Sequence, residues 1–298
     1  MQATLRRRIG DVLTPAARAW IRYAPVALGK PWLWQTFHWR PRAFTCRTQF
    51  GDVVTGNTED LIQRHLYFFG TWEPNISAWL TRQLRPGDCF VDIGANIGHY
   101  TLLASRLVGD HGRVVAVEAA HWIHTILERH IAMNRRSNIR TVQVAAAAAR
   151  GTIKLFPGHA GNIGKTTTVA RAGDSVDVQA VPLSEVLSED EVRRTRIIKI
   201  DVEGAEVEVL RGLAPLLDRL RPDAEIVMEI AASLTPEAER TRAEIFDTMQ
   251  RHGYSAYRFD NDYGVETYLR RGPGKHPFAL ADFAPGDQAD VLFSRASY

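Results

Sequence analysis

The chain has 298 residues, 45% hydrophobic and 24% charged, with a formal net charge of +3. That is enough for one large α/β domain with an extension, and the mild charge alone selects no partner. Cys46 and Cys89 are far apart and form no CxxC pair, which argues against a disulfide scaffold or a zinc site.

The charge is unevenly spread. Residues 1–50 carry nine basic groups against one acid, Asp11, so the remaining chain is net acidic. Four of the seven tryptophans (Trp20, Trp32, Trp34 and Trp39) fall in the same stretch. A basic, Trp-rich segment attracts phosphate-bearing surfaces and seats its rings at an apolar–polar boundary. Peripheral contact with the inner membrane surface through residues 1–45 is therefore expected. No apolar run approaches the roughly 18 residues of a membrane span. The start MQATLRRRIG lacks the apolar region and cleavage site of a secretory signal, so a cytoplasmic location is expected.

In chain order, a helix is expected at 3–24, after which Pro25, Pro31 and Pro41 break the pattern. Residues 1–65 read as an extension and 66–298 as the main domain. Strand and helix patterns then alternate: strand 89–95, helix 98–108, strand 113–119, helix 122–135 and strand 139–148. Residues 151–181 give short β-type pieces around Gly-rich turns. Strand 196–202, helix 205–220, strand 224–230, helix 236–252, strand 254–260 and a last strand at 290–295 complete the series. Such repetition indicates a mostly parallel, seven-stranded sheet with helices on both faces. Ligands in such sheets bind outside the carboxyl ends of the strands. Asp92, Glu118, Asp201 and Glu229 all fall near such ends.

The sharpest local signal is Val91-Asp92-Ile93-Gly94-Ala95-Asn96-Ile97-Gly98, between a strand and a helix. Gly94 and Gly98 permit a tight turn and a close ligand. The dinucleotide fingerprint G-x-G-x-x-G is absent, because Asn96 stands at its second glycine. Asp92 would repel a pyrophosphate and suits a cationic ligand such as S-adenosyl-L-methionine (SAM). Glu118 ends the next strand, 24 residues after Gly94, where a carboxylate can accept ribose hydroxyls. A nicotinamide-dependent oxidoreductase fits least.

The runs FVDIGANIGHYTLLAS, GRVVAVEA and IIKIDVEGAEVEVLRG, in this order and spacing, resemble the FkbM-type SAM-dependent methyltransferases over roughly residues 66–295. The resemblance implies a Rossmann-like class I methyltransferase fold and O-methylation of a hydroxyl on a sugar, glycolipid or related natural product. It implies that Asp92, Gly94, Asn96 and Gly98 contact the methionine part of SAM and Glu118 the ribose, with Ala119 beside it. Many relatives have an aromatic residue before this Glu and a proline after it; Val117 and Ala119 stand here, so the adenine wall is expected to be built differently.

Methyl transfer is an in-line displacement, and an alcohol needs a group to take its proton. In Lys199-Ile200-Asp201-Val202-Glu203-Gly204-Ala205-Glu206, Asp201 is the first candidate for that group and Glu203 the second, with Lys199 pairing either. The plainer alternative is that Glu203 and Glu206 favour a helix N-terminus. Glu229, His99 and Asn162 are candidate acceptor contacts, and no metal site is expected. Gly158 to Thr166 imitates a phosphate loop but is one residue too long and runs into a strand-like segment. A hairpin tip over the cofactor is expected there instead. Thr71-Trp72-Glu73-Pro74 resembles the family's approach segment, and either closes over SAM or supplies Glu73 as an acid at the entry of the next helix. Regions 151–181 and 261–288 are the expected acceptor walls. The expected acceptor is a small molecule or lipid-linked glycan. RNA methylation is the second reading; against it, the fourth strand ends in Asp-Val-Glu-Gly, not the Asn/Asp-Pro-Pro-aromatic run of base N-methylation. A non-catalytic SAM-binding module is the third.

Overall fold

The computed structural model describes residues 2–26, 28–38, 41–159, 161–170, 173–230, 236–269, 277–279 and 288–298. Trp39 and, of the expected acceptor wall 261–288, residues 270–276 and 280–287 lie outside them. Helix α1 (Gln2–Tyr23) buries Thr14, Ala17 and Ile21 at helical spacing. Helix α2 (Lys30–Phe37) begins after Gly29 in the left-handed region, with Pro31 in its first turn. Its Trp34 packs on Phe68 and Phe69 at ring distances of 5.3 and 4.8 Å.

Strands β1 (Ala43–Arg47) and β2 (Val53–Asn57) form an antiparallel hairpin. Helix α3 (Leu61–Phe68), capped by Asp60 on the Gln63 N–H, runs across the expected boundary at residue 65. The extension therefore shares one core with the main domain: Ile21, Phe37 and Val54 cluster with Leu66, Ile76 and Phe90. The reason is local. Residues 61–68 place Leu66, Tyr67 and Phe68 on a buried face that needs partners on both sides.

Then follow α4 (Pro74–Gln83), β3 (Cys89–Ile93), α5 (His99–Val108), β4 (Arg113–Val117), α6 (His121–Met133) and β5 (Ile139–Val142). The expected strand 139–148 divides here. Pairing of β5 with β4 ends at Val142, whose carbonyl takes the Glu118 N–H, and β6 (Ala145–Ala146) joins a second sheet. That sheet has the order β6-β8-β7, with β7 (Gly151–Leu155) and β8 (Val176–Val181) antiparallel, and it carries the expected hairpin tip. Short helices α7 (Leu183–Val186) and α8 (Glu189–Arg194) lead to β9 (Thr195–Ile200). Helix α9 (Glu206–Leu213) tightens into a 3-10 turn at 214–219, where Pro215 has no N–H to continue it. The chain ends with β10 (Glu225–Ile230), α10 (Pro236–Arg251), β11 (Ser255–Arg258), α11 (Val265–Leu269), β12 (Phe278–Ala279) and β13 (Ala289–Ser294).

The main sheet has the order β12-β11-β13-β10-β9-β3-β4-β5. These are the seven expected strands plus the two-residue β12 at one edge. Only β13 runs against its neighbours β10 and β11, and β12 against β11; the other pairs are parallel. This is the Rossmann-like class I methyltransferase architecture. Side chains alternate across the sheet, so Phe90, Val114 and Ile197 join the core under α4 and α5 while Val91, Val115 and Ile198 join the core on the other face. The strand order reverses between β3 and β9, and the site lies at that switch point.

Candidate active site

Two clefts open at the carboxyl ends of β3, β4 and β9. The first encloses about 640 Å³, part of it open to solvent, between the Gly94–Asn96 turn, the end of β4 and the tip of the β7–β8 hairpin. The turn is tied down on both sides. Gly94 and Ala95 N–H groups donate to the Val117 carbonyl at 2.9 and 3.0 Å, and the Asp201 N–H donates to the Ile93 carbonyl at 3.0 Å. Asn96 holds φ +49°, a region asparagine tolerates better than most residues. Its N–H donates to Glu118 Oε2 at 2.9 Å, and the Ala120 N–H donates to Oε1 at 2.9 Å. Burial pushes the Glu118 carboxyl up to about 7, while these two N–H groups pull it down. Each oxygen accepts one N–H and keeps acceptor capacity for a ribose hydroxyl.

Val117, Ala119, Ile123, Val144 and Leu155 supply an apolar wall to the same cleft. Gly164, Thr166 and Thr168 roof it from the hairpin tip. The tip sits so close that a Cβ on Gly164 would lie 2.7 Å from Asn96 Nδ2.

The second cleft, of about 730 Å³, adjoins the first through Asn96, Gly164, Asp201 and Glu203, which line both. Its own walls include Trp72, Glu73, Asn162, Lys165, Glu229 and Tyr263. Trp72 and Tyr263 stack, with centroids 5.2 Å apart and planes 19° apart. Glu73 accepts the Tyr100 hydroxyl at 2.5 Å and the Tyr263 hydroxyl at 3.1 Å. Burial, with Asp290 adding repulsion, pushes it up to about 8.

Asp201 behaves in the opposite way. Burial would raise it, but Lys199 Nζ at 2.7 Å and a hydrogen bond with Glu229 hold it below the usual carboxylate range. Burial and the Asp201 charge push Glu229 well above that range. Within this pair Asp201 is therefore the carboxyl favoured as the ionised acceptor, and Glu229 the one on which burial favours the proton. Burial, aided by Asp201, pushes Glu203 up to about 7.

Of the sequence candidates, Gly94, Glu118 and Ala119 line the first cleft, Glu229 and Asn162 the second, and Asn96, Asp201 and Glu203 both. Four stand elsewhere. Asp92 points from β3 towards α5, takes the Thr101 hydroxyl at 2.6 Å and lines neither cleft. Gly98 is the residue before α5 and likewise lines neither. Lys199, opposite Asp92 in the strand register, lies under the site, its ammonium 4.8 Å from the Tyr100 ring centre. His99 is corrected from acceptor contact to buried support. Its Nε2 meets Ser77 Oγ at 3.0 Å and the Trp72 N–H at 3.4 Å, and burial pushes it down to about 3. Of the two roles open to the approach segment, closure over SAM is corrected too, since Trp72 and Glu73 wall the second cleft and do not line the first. Lys165, Tyr263 and Gln288 were not singled out as site residues, but all three lie within the expected acceptor walls 151–181 and 261–288 and line the second cleft.

Residues 92–256 match the family described as the Methyltransferase FkbM domain. The chain belongs to the FkbM methyltransferase family. Among relatives of this FkbM member, Methyltransferase sdnD of Sordaria araneosa is 32% identical over 154 residues, 41% of this chain and 59% of that protein. Methyltransferase 1 of Beauveria bassiana (strain ARSEF 2860) is 28% identical over 149 residues, 43% of this chain and 59% of that protein. The chain thus spans 59% of the length of each of these curated relatives. Aeropyrum pernix fibrillarin, solved with natively bound SAM, is a more distant likeness. It is 15% identical at a TM-score of 0.41, covering 84% of this chain and 93% of that one. The cofactor is S-adenosyl-L-methionine. The residues present fit it: Glu118 for the ribose, Val117, Ile123 and Val144 for the adenine, and Asn96 beside Asp201 at the boundary of the two clefts.

Proposed function

We propose that this FkbM protein transfers the methyl group of SAM to a hydroxyl oxygen of a sugar, glycolipid or related natural product. The observation that carries this reading is Asp201, an ionised carboxylate that lines both the cofactor cleft and the adjoining cleft. The bound cofactor supplies a methyl carbon already activated by its sulfonium. The protein's task is to bring a hydroxyl oxygen in line with that carbon and to remove the hydroxyl proton. As the new O–C bond forms, the S–C pair stays on sulfur and the proton passes to a carboxylate.

Asp201, held ionised by Lys199 and Glu229, orients the hydroxyl. Glu203, pushed up to about 7, matches its proton affinity to neutral pH. The stacked Trp72 and Tyr263 rings offer a flat wall to the C–H face of a sugar ring, while Glu73, Glu229 and Asn162 offer acceptors and donors to its hydroxyls. Incubation with methyl-labelled SAM and fractionated cell glycolipids tests the reading. Label should appear in an ether of a glycan-containing fraction, and Asp201→Asn should slow its appearance by at least about a hundredfold.

A second reading, RNA methylation, is favoured by the basic stretch 1–50. The ionised Asp201, with Glu203 pushed up only to about 7, works against a phosphodiester in the acceptor cleft. RNA binding that weakens steeply with salt, together with label in RNA, would favour this second reading.

A further inference from the structure

We propose that the turn between α1 and α2 is a docking surface for an anionic lipid bilayer. Helix α1 carries two apolar faces. One packs on the core through Ala17 and Ile21; the other presents Leu13, Trp20 and Tyr23 to solvent. The outer face continues through Val26 and Leu28 in the turn and Trp32 in the first turn of α2. Leu28 is 79% exposed, Trp32 64% and Trp20 44%. Among the described residues, six of the eleven exposed large hydrophobic side chains fall within residues 13–32, on α1, α2 and the turn between them. Trp20 Nε1 donates to the Leu28 carbonyl at 2.9 Å, which fixes its ring against the turn.

The charge selects the occupant. Residues 1–50 have nine basic groups and one acid; Lys30 is buried and Arg18 is held on the Tyr67 carbonyl, but the sequence of α1 also carries Arg6, Arg7 and Arg8, so an anionic surface attracts this segment. Tryptophan beside basic residues is the composition that settles at a headgroup boundary.

The position of the hairpin adds an independent argument. Trp34 of α2 lies 4.8 Å from Phe69, Phe69 lies 5.0 Å from Tyr268, and Tyr268 lies 6.4 Å from Trp72, which walls the acceptor cleft. A chain of packed rings thus links the docking helices to the cleft wall. The docking itself does not depend on the acceptor being a glycan or a lipid.

The test uses the full chain in vesicle flotation. Vesicles of pure phosphatidylcholine are compared with vesicles in which about one lipid in four is phosphatidylglycerol. The protein should float with the anionic vesicles, should stay behind with the neutral ones, and should be released by salt. Leu28→Glu with Trp32→Glu should weaken anionic-vesicle binding by at least about tenfold while SAM binding by calorimetry stays unchanged. Should that variant fold poorly, quenching of wild-type tryptophan emission by brominated acyl chains decides insertion instead. Absence of flotation, absence of quenching, or binding that survives the double substitution would overturn the proposal. A dimer that the double substitution converts to a monomer would also overturn it, because a second copy would then cover this face.

Discussion

The carbonyl oxygen of Asp201 stands only 1.8 Å from where a Cβ on Gly94 would be built. The turn after β3 and the end of β9 are therefore in direct backbone contact, and Gly94 also holds φ +77°. Gly94→Ala must displace Asp201, which lines both clefts, and adds strain of roughly 1–3 kcal/mol. Calorimetry should show SAM binding weakened by at least about a hundredfold, with a melting temperature lower by several degrees. Unchanged binding would mean that this contact does not set the cleft.

Asp201→Asn keeps the shape of the side chain and removes its charge. Turnover should fall by about a factor of 10² to 10⁴, while SAM affinity should change by no more than about threefold. Glu229→Gln keeps a donor towards Asp201 and should retain most activity, whereas Glu229→Ala should lose more. Steady-state kinetics of the three variants with one acceptor check this order.

Tyr263 stacks on Trp72 and donates to Glu73, and it lines only the acceptor cleft. Tyr263→Ala should raise the acceptor KM by about tenfold and leave the SAM dissociation constant alone. A change confined to SAM binding would assign this wall to the wrong cleft.

Stability should depend on pH in a defined direction. Burial raises Glu73 from 4.5 to about 8, and Glu118 and Glu203 to about 7. A carboxyl raised on folding contributes its full stabilisation below its unfolded value and loses it as pH rises through its folded value. The cofactor-free protein should therefore melt at progressively lower temperature as pH rises from 4.5 through about 8. Glu73→Gln should flatten the upper part of that curve. A melting temperature that rises over this interval would contradict the burial of these groups.

The strands and the cofactor turn were legible in the sequence because their signals are local. Apolar runs such as Cys89–Ile93 end at a glycine, and Glu118 follows the next such run. Which face a strand residue takes is not local. Asp92 turns towards α5 because its neighbours Val91 and Ile93 fill the opposite core. His99 opens α5, but the direction of its ring is set by Ser77 on α4. The acceptor cleft was the least legible part: Glu73 and Tyr263 are 190 residues apart and meet only once the sheet has folded. The divided strand at 139–148 shows the same limit, since its apolar residues serve two different sheets.

The central claim is that Asp201, which with Glu203 lines both clefts, positions a hydroxyl for methyl transfer. Its most direct test is the atom that receives label from methyl-labelled SAM, identified by mass spectrometry and NMR of the product. The account predicts label on an oxygen of a polyhydroxylated acceptor with the wild-type protein, and labelling slower by about a factor of 10² to 10⁴ with Asp201→Asn. Label on a ring nitrogen of RNA, or full ether formation by Asp201→Asn, would contradict it.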